Sequence, residues 1–446
     1  MDYIIKNGTV VNEGCFERRD IYIHEGKIAV SEDVLEEPCV FDAGGCYVMP
    51  GVIDTHVHFR DPGFPEKGDF STESRAALAG GVTSVVDMPN NEPQTTTLDA
   101  LEAKERIAER KSVVNYGFML GATNDNIKQI LEVSPERYAA VKLFLGSSTG
   151  NMLVNNAKAL DTLFKECRKL IVAHCENEDI VQANLRNYKM EFSGTTKETA
   201  ELHPQIRNTE ACFVATYKAV ERARKYGTRL HVAHVSTATE LSLFSNQDLE
   251  TKKVTAEVSP NHLWFDSRDY AQLGNLIKCN PAIKSNDDRI GLWGGLMDGL
   301  VDTIATDHAP HTWESKQKRY FDAPGGIPSV QHSLQMMLES FFSPTAVQSA
   351  DHADLLREWF PLVVEKMCHN PATIFGIRQR GFLRPGYMAD VVVVEPADVT
   401  VTKDSLLYGC GWSPLEGQTF HTRIKQVFVN GMPADQSRAM PLSFDR

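Results

Sequence analysis

The spacing of apolar residues changes twice along the chain. From residue 1 to 50 they come in short alternating runs, Tyr3-Ile4-Ile5, Thr9-Val10-Val11 and Asp20-Ile21-Tyr22-Ile23, divided by Asn7-Gly8 and Glu25-Gly26. Such pairs are turn signals, so this stretch predicts a meander of small β-strands. The same texture returns in Ala389–Val394 and Arg423–Val429, followed by Asn430-Gly431. The two ends therefore read as one small β-sandwich domain, residues 1–50 with 366–446, and residues 51–365 as an insertion with its own core. Within the insertion, strand-like runs alternate with helix-like ones. The expected strands are Gly51–His58, Val82–Met88, Val113–Met119, Ala139–Leu145, Leu170–Cys175, Arg229–Val235, Lys253–Val258 and Thr303–Thr306. Helical stretches between them include Leu98–Lys111, Asn208–Tyr226 and Val330–Phe342, the last two with apolar residues three and four apart. Eight strand–helix repeats predict an α/β fold, a (β/α)8 TIM-like barrel.

In such a barrel the active site lies at the C-terminal ends of the strands. The first strand ends with His56 and His58. Residues two apart on a strand share a face, so these imidazoles converge on one point, as a metal ion requires. Arg60 is next on that face if the strand runs that far, and a fixed cation there suggests a substrate with a negative group. The second strand runs into Pro89-Asn90-Asn91, the fourth carries Lys142, and the fifth ends with His174-Cys175-Glu176. The sixth holds His231 and His234, Lys278-Cys279-Asn280-Pro281 follows the seventh, and the eighth ends with Asp307-His308-Ala309-Pro310-His311. Polar groups at so many strand ends are hard to obtain from core packing. Lys142 is unusual in its own right, since a lysine inside an apolar strand is seldom buried unpaired. His231, three residues before His234, faces the other way and reads as structural or as a partner that orients a ligand. His308 likewise faces away from Asp307, and His262 is a candidate supporting residue.

Composition narrows the class. A chain of 446 residues suits a barrel plus an appended domain. A net charge of −13 with no basic block argues against nucleic acid. No apolar run approaches the ~18 residues needed to span a bilayer, and the N-terminus lacks a signal-peptide pattern, so a cytoplasmic enzyme with no membrane partner is expected. Nine cysteines without a CxxC pair read as reduced thiols. No Gly-x-Ser-x-Gly nucleophile elbow is present.

The motifs Asp54-x-His56-Val57-His58, Val141-Lys142-Leu143, Ala173-His174-Cys175-Glu176, His231-x-x-His234-Val235-Ser236 and Ala305-Thr306-Asp307-His308-Ala309-Pro310-His311 together resemble the amidohydrolase superfamily. Within it they resemble the cyclic-amide hydrolases: dihydroorotase, allantoinase and hydantoinase. The resemblance implies two Zn2+ ions, one bound by His56, His58 and Asp307, the other by His174 and His234, with Lys142 bridging them as a carbamate. It implies a hydroxide held between the ions as nucleophile, Asp307 as general base and then acid, and a homodimer. The stretches His58–Gly63, Met88-Pro89-Asn90 and Lys278–Ala282 resemble the dihydroorotase pattern. On that pattern Arg60, Asn90, Asn280, His311, Gly325 and Gly326 contact a small-molecule substrate. The chain departs from it at Gly325, where relatives often carry a bulky residue. The expected activity is reversible closure of N-carbamoyl-L-aspartate to dihydroorotate in pyrimidine biosynthesis. The alternatives are an allantoinase or other cyclic-ureide hydrolase with the same centre, and an inactive relative with an assembly role. The polar stretch Asn184–Gln205 reads as a helical insertion or a loop near the barrel mouth.

Overall fold

The structure, a computed structural model, describes residues 1–146, 152–348 and 351–445. Eight parallel strands follow one another in chain order: β1 (Val52–Val57), β2 (Val82–Asp87), β3 (Asn115–Phe118), β4 (Val141–Phe144), β5 (Ile171–His174), β6 (Leu230–Val232), β7 (Val254–Val258) and β8 (Thr303–Ile304). β1, β2 and β3 pair in parallel, as do β4 through β8. The continuation of β3, Leu120–Gly121, joins the two sets by pairing with β4. A parallel bridge between Val57 and His308 and a 2.8 Å hydrogen bond from His58 N–H to the His308 carbonyl link the end of β8 back to β1. Every residue of β1 and β2 is buried, because the strands are covered on both faces. That is why they do not show the apolar–polar alternation of a half-exposed strand, and why Asp54, His56 and Asp87 are buried within them.

The helices follow their sequence signals. Leu98–Lys111 is α-helical, with Thr97 accepting a capping bond from the Ala100 N–H. Thr209–Tyr226 is capped by Asn208 and closed by Gly227 in the left-handed conformation. The expected Val330–Phe342 helix opens with a 3-10 turn, Val330–His332, before Ser333–Phe342. A helical segment runs without a break from 352 through 375, across residue 365. The stretch Asn184–Gln205 is helical to Phe192 and then turns. It lies against the loop after β8, where Arg319 donates to the Thr195 carbonyl and pairs with Glu198.

Strands from both termini interleave in a six-stranded sheet. In order, these are 432–433, 419–429, 391–400, 47–50, 9–12 and 15–18. A four-stranded sheet of 27–28, 21–24, 3–6 and 39–42 shares an apolar core with it, including Ile5, Val10, Ile23, Val48, Val391 and Phe428. Strand 47–50 runs directly into β1, and the Gly51 N–H donates to the Asp390 carbonyl at the junction. A C-terminal segment also reaches the barrel mouth, where Trp412 Nε1 donates to the His311 carbonyl at 2.7 Å. No helix among the described residues is long and apolar enough to cross a membrane.

Candidate active site

One cavity of about 250 Å3 opens at the C-terminal ends of the barrel strands. Its lining contains every residue that the sequence singled out as ligand or substrate contact: His56, His58, Arg60, Asn90, Lys142, His174, His234, Asn280, Asp307, His311, Gly325 and Gly326. Phe64, Lys67 and Phe144 line it as well.

At its floor, Nε2 of His56 and Nε2 of His58 lie 3.2 and 3.1 Å from Asp307 Oδ1. Both rings are fixed from behind. His56 Nδ1 donates to Glu257 Oε1 at 2.7 Å, and His58 Nδ1 to Asn90 Oδ1 at 2.7 Å. With Nδ1 carrying the proton, each ring presents its Nε2 lone pair to the cavity, the form a metal ligand needs. Burial pushes both rings' pKa down, that of His58 strongly, so they are neutral at pH 7. His174 faces the group from β5. Its Nε2 donates to Glu176 at 2.9 Å, which leaves Nδ1 facing His234 Nε2, 2.9 Å away. Glu176 is held far below the usual carboxylate range by its pairing with Arg207 and His174, despite its burial.

Two buried nitrogens in this group have no hydrogen-bond partner, Lys142 Nζ and His234 Nδ1. Burial lowers the Lys142 pKa to about 8, and the Asp307 carboxyl is raised by burial, partly offset by His56 and Lys142. His56, His234 and Asp307 offer ligand atoms that all lie within 4.8 Å of one another. Neutral imidazoles, an acid and an orphaned buried amine form a donor set that fits a metal ion.

The backbone is contorted here. His234 (φ 38°), Asp307 (φ 49°) and Arg60 (φ 67°) all adopt the left-handed region, at a cost of ~1–3 kcal/mol each for non-glycine residues. For Arg60 this corrects the sequence expectation that it continues the face of His56 and His58. The strand ends at Val57, and the chain turns so that the Phe59 N–H meets Asp87 Oδ1 at 2.6 Å. Asp87 is itself paired with fully buried Lys104, which also donates to the Met88 carbonyl and to Asn91. One ion pair thus ties down the turns that carry Arg60 and Asn90. Arg60 reaches the cavity from this turn, donating from Nε to the Pro310 carbonyl at 3.1 Å, with Nη2 at 3.3 Å from His311 Nε2. It pairs with no carboxylate among the described residues; Asp61 and Asp69 are both taken by Lys111.

The opposite wall is a loop held by buried lysines. Lys316 Nζ donates to the carbonyls of Lys278, Pro324 and Gly326, and Lys278 Nζ to that of Tyr320. Gly325 is tight against Asn280, where an added Cβ falls 3.0 Å from both amide atoms. At Gly326 (φ 146°) an added Cβ meets the Ala309 carbonyl at 2.4 Å, so only glycine fits. Asn280 Oδ1 is buried without a partner and available to a ligand.

Three supporting histidines resolve. His308 turns away from the cavity and bonds Glu73 at 2.8 Å. His262 holds the Pro281 carbonyl beside Asn280. His231 Nε2 stands 3.5 Å from Glu257 Oε2, so it supports the carboxylate that orients His56. Glu257 itself was not anticipated from sequence. Its Oε1 takes both His56 Nδ1 and the His234 N–H. The signal was available: an acid inside the apolar strand Val254–Val258 parallels Lys142 inside β4.

The amidohydrolase family profile matches residues 47–433. The chain belongs to the amidohydrolase family. Among characterised relatives of this amidohydrolase, a dihydroorotase of Halobacterium salinarum is 33% identical over 403 residues, covering 90% of this chain and 89% of that protein. An allantoinase of Escherichia coli is 30% identical over 441 residues, covering 96% and 94%. Among solved structures, the L-hydantoinase (dihydropyrimidinase) of Arthrobacter aurescens superposes with a TM-score of 0.89 at 27% identity, covering 99% of each chain. The dihydropyrimidinase of Brevibacillus agri shares the fold, with a TM-score of 0.85 at 23% identity and full coverage of both chains.

Proposed function

We propose that this amidohydrolase is a dihydroorotase, interconverting N-carbamoyl-L-aspartate and dihydroorotate. The observation that carries the reading is Arg60, a buried guanidinium that lines the cavity beside the histidine–aspartate group and pairs with no carboxylate among the described residues. A planar fork of donors, held by the Pro310 carbonyl and His311 but by no carboxylate among the described residues, suits a ligand carboxylate. Dihydroorotate and N-carbamoyl-L-aspartate carry one, whereas dihydrouracil and allantoin do not. Asn90 gives its carbonyl to His58, so its two amide hydrogens remain for substrate. Asn280 offers a free carbonyl oxygen suited to a ring N–H. His311, kept neutral by burial and by the cations around it, adds a ring nitrogen at the same end.

On this reading His56, His58 and Asp307 would hold one Zn2+ and His174 and His234 the other, with Lys142, as its carbamate, available to both. When bound, such ions acidify water and polarise the scissile carbonyl. Asp307 accepts the proton of the attacking water and returns it to the departing ring nitrogen. In ring closure it takes the proton of the ureido nitrogen, and water leaves the carboxyl group. Its raised pKa suits a group that must hold a proton for part of the cycle. The similarity to an allantoinase over nearly the whole chain makes allantoin the necessary competing substrate. Turnover of N-carbamoyl-L-aspartate, allantoin and dihydrouracil should be compared on protein of measured metal content. The reading expects the first to be preferred, and Arg60→Ala to raise its KM while leaving metal content intact. Turnover of allantoin or dihydrouracil with none of the carbamoyl acid would refute it.

A further inference from the structure

The segment Gly63–Gly68 crosses the cavity mouth between two close backbone approaches. A Cβ on Gly63 (φ 114°) would meet the Glu92 carbonyl at 2.5 Å, and one on Gly68 would meet Glu73 Oε1 at 2.6 Å. These contacts fix where the segment enters and leaves. Between them the Phe64 N–H donates to the Arg60 carbonyl and the Lys67 N–H to the Phe64 carbonyl. Both Phe64 and Lys67 thereby line the cavity, and the Lys67 ammonium sits 4.0 Å from the centre of the Phe64 ring.

Among the described residues Lys67 forms no ion pair. Its half-buried ammonium is disfavoured by burial and then by the nearby Arg60 guanidinium, which lines the same cavity. Like charges brought together in a desolvated cavity raise the free energy of the empty protein. Asp307, Asp87 and Glu73 act on Arg60 and Glu66 on Lys67 from a distance, but among the described residues no carboxylate forms an ion pair with either cation where they line the cavity with His311 and Pro324.

We infer that Lys67 is a second substrate-binding cation, which together with Arg60 clamps the substrate carboxylate that takes no part in the reaction. The inference rests on the proposed acidic substrate and adds the residue that selects for it. Arg60 grips the carboxylate from the barrel wall, and Lys67 closes over it from the mouth as a point charge on a flexible stem.

The test compares Lys67→Gln and Lys67→Arg with the wild type, on N-carbamoyl-L-aspartate and on dihydrouracil. Lys67→Gln should raise KM for the acid about tenfold, with a much smaller change in kcat. The ratio of kcat/KM for the acid over dihydrouracil should fall by a similar factor, and Lys67→Arg should restore most of it. Wild-type turnover of the acid with an unchanged KM in Lys67→Gln overturns the inference alone. So does a loss that appears in kcat only. If the wild type turns over allantoin or dihydrouracil but not the acid, the functional reading fails and the inference falls with it.

Discussion

Lys142 offers the sharpest test of the physical argument, because one substitution should move stability and metal binding in opposite directions. Its ammonium is fully buried and has no hydrogen-bond partner. Unfolded, the side chain titrates near the ordinary 10.5; folded, burial brings it to about 8. Between those values the unfolded chain holds the extra proton, so stability rises with pH through that window and the full penalty is present below about pH 8. At ~1.4 kcal/mol per pH unit, the gap corresponds to about 3 kcal/mol. Lys142→Met keeps the length and removes the charge. Metal-free, carbon-dioxide-free Lys142→Met should therefore be more stable than equally treated wild type at pH 7, by up to that amount. The difference should shrink towards zero as pH approaches 10. Thermal unfolding of the two proteins across pH 6.5 to 10 reads this directly. On the proposed reading, addition of Zn2+ should then stabilise the wild type far more than the variant, which lacks the amine that would form a bridging carbamate. Metal-free Lys142→Met that is no more stable than wild type at pH 7 would refute the idea that an unpaired charge is stored at this position.

Two further substitutions probe the supports of the site. Glu257→Leu removes the acceptor for His56 Nδ1 and for the His234 N–H, freeing the His56 tautomer; metal affinity should fall ~10–100-fold, measured by competition with a chelating dye, and wild-type affinity would contradict the orienting role. Gly325→Val forces a side chain onto Asn280, whose amide atoms already lie 3.0 Å from where a Cβ would stand; loss of one polar substrate contact, ~1 kcal/mol, predicts a several-fold rise in KM with metal content unchanged, and an unaltered KM would remove Asn280 from the substrate site.

The barrel was legible because its strands are buried on both faces, which writes them as short β-branched stretches without apolar–polar alternation, while the helices between them carry a different period. The cavity residues were legible for a related reason. Strand ends in a barrel lie at one level, so polar side chains at the ends of β1, β4, β5, β6 and β8 have to meet. What escaped the sequence depends on backbone turns and on partners distant in the chain. Arg60 reaches the cavity through a left-handed turn whose cause is Asp87 on the neighbouring strand, and no periodicity encodes that. Glu257 was overlooked since a single acid in a strand has no evident partner until His56, 201 residues away, is placed beside it. Lys67 was invisible because its position is set by the contacts of Gly63 and Gly68 with Glu92 and Glu73. The expected boundary at residue 365 falls inside a helical segment that runs from 352 through 375, where the segment widens locally without ending.

The distribution of charge explains how one cavity can both bind and orient an anion in a chain of net charge −13. The acids near the floor are committed: Glu176 to Arg207 and His174, Glu257 to His56, Asp307 to His56 and His58. Glu176 is neutralised by Arg207, while Glu257 and Asp307 orient the neutral imidazoles of His56 and His58. At the mouth the balance is reversed. Among the described residues Arg60 and Lys67 form no ion pair, while Lys316 and Lys278 bond carbonyls of the loop behind them. An approaching dianion is repelled by the protein as a whole, but beyond ~8 Å that field is largely screened at physiological salt. Within the cavity Arg60 and Lys67 act at short range and in a drier medium, where they count for more. On the proposed function, a substrate with a carboxylate at one end and an amide at the other would satisfy both ends in one orientation, carboxylate to Arg60 and amide to Asp307. A neutral ring can use only the floor, so it gains neither the affinity nor the alignment that the mouth supplies.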